Sequence, residues 1–387
     1  MSTLQDDPDT TCPPDSPRAG EPGSPGVPPC GGRALLAALP KPPGRGLGPS
    51  GDDPSRGSDG CRPAGRFDLA RQVTDRIIAQ LEAVDPADWR CPWHKAGASR
   101  LPVNGFTGKA YTGTNTLLFW LEARRHGYAS HRWLTFNQMR RLGGRLSEET
   151  LARPKGRRDC VGIRYGTFEK KVAPWVDRDG HIRDTETVPY AKAFRVFNVD
   201  QITGLPDRLY AGLPADHGET TRRRIRDFVV TAGVNLSHGG DEAWYHPASD
   251  QVRMPFLSRF VERSGAEGPE HYDATLLHEI VHWSGHPARL GRPDLAAPEL
   301  RALAREELCA EFGAAILCAY FGVAGRLRHP EYISHWLAHL RSDSRALFTA
   351  TRQARLAFEF LLERGGLPSP DEEPAPAGDA AGTNAWK

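Results

Sequence analysis

The sequence predicts an α+β protein: a small domain built on an antiparallel sheet, then a mainly helical domain, between two disordered tails. Three observations predict it. Leu69, Val73, Ile77 and Leu81 recur four residues apart with Ile78 beside them, the stripe of an amphipathic helix. Residues 161–168 and 191–199 alternate large with small or polar side chains, as two pairing strands do. Residues 276–286 read Leu-Leu-His-Glu-Ile-Val-His-Trp-Ser-Gly-His, an apolar helix carrying His-Glu-x-x-His.

Composition sets the outer limits. Residues 1–65 and 365–387 are rich in Pro, Gly, Ala and acid and are read as tails, because such chains bury too little apolar surface to offset their ordering entropy. Between them the expected units are a domain at 66–200, a linker at 201–219 with several Pro and Gly, and a domain at 220–364. The seven cysteines are scattered and form no C-x-x-C. That argues against a disulfide framework or a cysteine zinc site, and for a reducing compartment. No apolar run approaches the roughly 18 residues needed to span a bilayer, and no signal segment opens the chain. A cytoplasmic protein without a membrane partner is the expectation. Net charge is +2, but residues 66–170 hold 19 Lys and Arg against 10 Asp and Glu. A local basic excess suits a nucleic-acid face, or simply a solvated basic surface.

The elements follow in order. A helix over 68–82 opens the first domain. Trp89 and Trp93 flank Pro92 in a loop, and a turn-rich stretch holds Asn104, Lys109, Tyr111 and Asn115. A helix over 116–126 has Leu117, Leu118, Trp120 and Leu121 as its apolar set and Gly127 at its C-cap. Residues 133–136 form a short strand or helix entry, and 137–142 a short helix stopped by Gly143 and Gly144. The strands at 161–168 and 191–199 flank 171–189, which is polar and is read as a loop or hairpin tip. Aromatic rings among cations suit single-stranded nucleic acid, since bases stack on the rings and cations track phosphates. The competing reading is core aromatics plus a basic surface; Trp120 fits that reading, whereas loop residues Trp89 and Trp93 fit stacking.

In the second domain, 222–233 is a helix, and 243–246 and 250–254 flank a turn as a hairpin. Segment 250–254 is placed to act as an edge strand holding an extended peptide. The helix over 273–285 carries the motif. Four residues turn about 400°, so His278 and His282 share one face and can bind one Zn²⁺. Glu279 follows the first ligand and can take a proton from a water activated there. Helix 298–322 places Glu307 and Glu311 on one face and Glu306 about 100° away, where solvent exposure is expected. Burying a carboxylate requires a partner, and a metal or a metal-bound histidine is adequate. Glu307 is assigned as third ligand and Glu311 as acceptor for a histidine N–H; the converse assignment stays open. Three ligands leave a fourth position open, the catalytic form of a zinc site. His286 is discounted, because the longer motif needs its third histidine at 288, which is Ala288. Helices around 335–340 and over 344–362 complete the domain.

Taken together, these residues resemble a known family. Its motifs include Pro92-Trp93, Pro102-Val103-Asn104, Thr107 to Tyr111, Gly113-Thr114-Asn115, Trp133-Leu134-Thr135 and Phe197 to Gln201. They continue with Met254-Pro255, Thr275 to His286, Arg289-Leu290 and Glu306 to Glu311. The chain resembles ArdC-type antirestriction proteins, which are related to the N-terminal part of TraC-type plasmid primases, over roughly 66–362. The resemblance implies a single-stranded-DNA-binding domain followed by a zincin-like metallopeptidase domain, and protection of incoming DNA from restriction. The resulting candidate DNA contacts are Trp89, Trp93, Lys95, Asn104, Lys109, Tyr111, Asn115, Arg132, Trp133 and Lys155. The partners are then single-stranded DNA and a protein substrate of the peptidase-like domain, with zinc as cofactor. Segment 145–159 is longer than the family's turn, and tail 1–65 has no family counterpart. Two other readings stay open: a DNA-protecting module with a structural or vestigial metal site, and a replication accessory protein.

Overall fold

The computed structural model describes residues 69–82, 100–176, 181–211, 218–295, 297–323, 337–338, 340–343 and 345–370. Trp89, Trp93, Lys95, tail 1–65 and most of tail 365–387 lie outside the described residues.

Helix α1 (Leu69–Glu82) buries Val73, Thr74, Ile77 and Ile78. Strand β1 (Val103–Asn104) leads through a turn to α2 (Thr114–His126), which Gly127 closes at φ 69°, a left-handed conformation. Strand β2 (Arg132–Thr135) runs directly into α3 (Phe136–Arg141), where Thr135 and Gln138 form a reciprocal capping box. After β3 (Arg145–Leu146) and α4 (Glu148–Ala152) come β4 (Cys160–Val176), β5 (Ile182–Asn198) and β6 (Ile202–Thr203). The main sheet has the order β1-β2-β5-β4. Two of its pairings are antiparallel, but β1 joins β2 in parallel. The expected antiparallel pairing of β4 with β5 forms, and β1 adds a parallel neighbour, for which α2 acts as the required crossover.

Residues 171–176 and 182–189, expected as loop, are strand. The ladder continues through Lys171↔Thr185 and, after a register shift, to Val176↔Ile182. Beyond Ile163 most of this ribbon is exposed on both faces. It has no buried face to impose an apolar alternation, so sequence pattern alone could not reveal it.

The second half contains α5 (Glu219–Ala232), β7 (Leu236–His238), β8 (Trp244–His246), β9 (Gln251–Met254) and α6 (Leu257–Ser264). Helices α7 (Gly268–Ser284), α8 (Leu300–Phe321) and α9 (Ala346–Arg364) follow. The hairpin forms as predicted, but the sheet order is β7-β9-β8. Strand β9 is thus central, not an edge. A strand from 236–238 pairs with it in parallel and occupies the side a peptide would need. Helix α7 starts at Gly268, earlier than its apolar pattern suggests, with Pro269 in the first turn where a missing N–H costs nothing.

Helices α7 and α8 approach closely at Gly313. A Cβ there would sit 2.8 Å from both methyl carbons of Val281. One continuous apolar core includes Phe119, Trp133 and Val196 of the first half with Leu277, Val281, Phe312 and Leu361 of the second. Among the described residues, no helix is long and apolar enough to cross a membrane.

Candidate metal centre and nucleic-acid face

Helix α7 is apolar on nearly all sides: Leu276, Leu277, Ile280, Val281 and Trp283 are buried. That packing holds the helix rigidly and aims His278 and His282 at α8. Their Nε2 atoms lie 3.2 Å apart. From α8, Glu307 places Oε2 3.5 Å from His278 Nε2 and Oε1 3.6 Å from His282 Nε2. Ligands about 2.0–2.1 Å from a tetrahedral zinc stand about 3.3–3.4 Å from one another. The three observed separations bracket that spacing, and two imidazoles with one carboxylate are a donor set suited to zinc. Glu279, next to the first histidine, is 5% exposed.

The side chain that orients the site is one the sequence pattern misplaced. Glu306, expected in solvent, is 2% exposed, and its Oε1 accepts from Nδ1 of His282 at 3.0 Å. This bond leaves Nε2 of His282 as the nitrogen facing Glu307. The loop after α7 folds back over α8 and brings Arg292 to Glu306. Nε of Arg292 donates to Glu306 Oε2 at 2.9 Å and Nη2 donates to Oε1 at 2.6 Å. The same guanidinium donates to Ser284 Oγ and the Val281 carbonyl at the end of α7. Gly285 makes room, since a Cβ there would lie 2.6 Å from Arg292 Nη2. Burial alone would raise the Glu306 carboxyl, but Arg292 and His282 outweigh it and hold it at about 2. Burial likewise pulls the His282 imidazole down, yet Glu307, Glu306 and Glu279 reverse this and raise it to about 9. Glu311 is 1% exposed, one turn beyond Glu307. Glu306 is thus a carboxylate at hydrogen-bond distance from a site histidine that the sequence pattern did not assign. Helix α8 is enclosed by the returning loop as well as by α7, so an angle around its axis did not predict exposure. An arginine in a Gly-Arg-Pro turn gives no sequence signal of this role.

His286 serves the turn: its Nδ1 accepts from the Ala288 N–H at 3.1 Å. A second clamp ties the hairpin to the metal helix. Arg289 Nη1 donates to Asp250 Oδ2 at 2.9 Å, and its guanidinium carbon lies 3.9 Å from the Trp283 ring centroid.

The candidate DNA contacts separate by environment. Lys109 and Lys155 are exposed, and Tyr111 is half-buried. Trp133 is 1% exposed, packed against Phe119 at 5.0 Å between ring centroids, so it is a core residue and cannot stack a base. Asn104 builds a turn, accepting from the N–H groups of Phe106 and Thr107 and donating to Tyr111 Oη at 3.1 Å. Asn115 pins β4 by bonding both backbone groups of Ile163, at 2.8 and 2.7 Å. Arg132 is spent on backbone carbonyls, donating to Ala211 at 2.8 Å.

Residues 67–197 match the family model for the N-terminal domain of anti-restriction factor ArdC, and 223–353 match that for a zincin-like metallopeptidase. A crystal structure of the antirestriction ArdC protein from plasmid R388, metal-free, is 33% identical with a TM-score of 0.60, covering 78% of this chain and 98% of that one. The chain belongs to the ArdC antirestriction family. A Mn(II)-bound structure of the same R388 protein has 32% identity and a TM-score of 0.59, over 77% of this chain and 98% of that one. The uncharacterized protein y4eC of Sinorhizobium fredii is 34% identical over 297 residues, 76% of this chain and 91% of that protein. A DNA primase TraC of Escherichia coli is 31% identical over 301 residues, 75% of this chain but only 27% of the primase. This ArdC-type chain thus pairs an ArdC N-terminal domain with a zincin-like domain, and such a domain implies zinc.

Proposed function

We propose that this ArdC-type chain binds single-stranded DNA through residues 66–200 and hydrolyses peptide bonds at a zinc site in residues 220–364. The convergence of His278, His282 and Glu307 on one buried point carries the hydrolytic half of the reading. These three residues hold the metal, which when bound polarises a substrate carbonyl and acidifies water. Glu279 is the general base: its carboxylate takes a proton from the attacking water and can return it to the departing amine. Glu306, kept anionic by Arg292, fixes the His282 tautomer and ring orientation. The DNA half is supported by the family match of 67–197 and by the exposure of Lys109 and Lys155.

A comparison of cleaved cellular proteins between wild type and Glu279→Gln tests the hydrolytic reading. Cleavage products that vanish in the variant are expected; identical products in both would refute it. Metal analysis should find about one zinc per chain, lost in the double variant His278→Ala, His282→Ala. Oligonucleotide affinity should fall steeply with salt and favour single strands over duplex.

A further inference from the structure

We infer that single-stranded DNA runs through the cleft between the N-terminal sheet and α9, where arginines of the zincin-like half complete its track. The inference rests on the DNA reading above and locates the strand.

The cleft has a volume of about 1080 Å³. Among the described residues, its lining includes four arginines and no carboxylate. Arg164 comes from β4, while Arg345, Arg352 and Arg355 come from α9 and the residue before it. The three second-half cations fall at spacings of seven and three, so they follow one face of α9. Arg355 also bonds Glu359 at 2.5 Å, whereas Arg345 and Arg352 are exposed. A polyanion is the ligand that such a wall attracts.

The cleft also presents rings. Tyr111 and Phe194 stand on the N-terminal side, with centroids 6.4 Å apart and planes 20° from parallel. Tyr165 is 56% exposed on the same strand as Arg164, and Phe348 faces in from α9. Ring faces bind unpaired bases, which a duplex keeps stacked inside, and cations track the phosphates between them. An acidic peptide would use the arginines but has no planar bases for the rings.

The floor is built, not open. Thr114 Oγ1 meets Thr351 Oγ1 at 2.8 Å in a buried contact that joins the two halves. Gly113, at φ 60°, begins α2 beside it, and a Cβ there would lie 4.0 Å from the Thr351 carbonyl oxygen. The cations of one half are therefore held at fixed distance from the rings of the other.

Fluorescence anisotropy of the full chain with labelled oligo-dT of about 16 nucleotides tests this. The double variant Arg345→Ala, Arg352→Ala should bind roughly tenfold more weakly near physiological salt, with a salt slope shallower by about 1.4 for two lost phosphate contacts. Phe348→Ala should weaken binding and leave the slope unchanged. Substituting lysine at 345 and 352 should restore the slope, and zinc content should stay at the wild-type level in every variant. Wild-type affinity and slope in the double alanine variant would overturn the inference while leaving the DNA reading intact. No binding by the wild type would sink both. Polyglutamate binding more tightly than oligo-dT would assign the cleft to an acidic peptide and overturn it.

Discussion

Oε1 of Glu306 lies 3.0 Å from Nδ1 of His282, with both side chains buried. Arg292 grips the same carboxylate from the other side. A metal-site histidine is thus oriented by an ion pair contributed by a loop and a helix. Removing the orienting carboxylate should weaken metal binding by about 10- to 100-fold. Competition with a chromogenic chelator measures this in Glu306→Ala, and wild-type affinity would show that the ring is oriented by other contacts.

The same pair should leave a signature in acid stability. The Glu306 carboxyl is held at about 2, below its ordinary 4.5. A depressed carboxylate contributes stability fully above the unfolded value and loses it as pH falls through the folded one. The contribution is therefore present above about pH 4.5 and lost toward about pH 2. Urea midpoints measured across that window should fall less steeply in Glu306→Gln than in wild type. Equal slopes would show that this group is not the one titrating.

Close approach of α7 and α8 at Gly313 carries Glu307 to the histidines. Gly313→Ala should cost about 1–3 kcal/mol by overpacking against Val281 and should weaken zinc binding by prising the helices apart. Adding Val281→Ala should restore part of both losses, since the two sites touch and cannot be additive. Thermal unfolding and zinc titration of both single variants and the double variant check this.

Trp133 and Lys109 should behave oppositely. Trp133→Ala empties a core position and should cost about 3–5 kcal/mol. Lys109→Ala should change stability by no more than about 0.5 kcal/mol while reducing the oligonucleotide salt slope by about 0.7. A stable Trp133→Ala protein defective only in DNA binding would contradict its burial in the core.

Local periodicity and spacing determined much of this protein. The four-residue repeat over Leu69 to Leu81, the strands around Ile163 and Phe197, and the two histidines one turn apart are short-range properties, legible because backbone geometry alone creates them. Glu307 was legible too, because a glutamate in an apolar helix face needs a partner. Tertiary structure alone decided the rest. Glu306 is buried because a loop more than ten residues upstream returns over its helix, and no helical wheel contains that loop. Strand β9 is central because 236–238 pairs with it, and 171–176 and 182–189 are strand with no buried face to mark them. Trp133 is core because Phe119 and Tyr128 pack on it, and Arg345 lines a cleft because α9 is set against the N-terminal sheet. Helical and strand periods record a residue's immediate neighbours along the chain; burial and charge pairing depend on segments far away in sequence, brought near only by the completed fold.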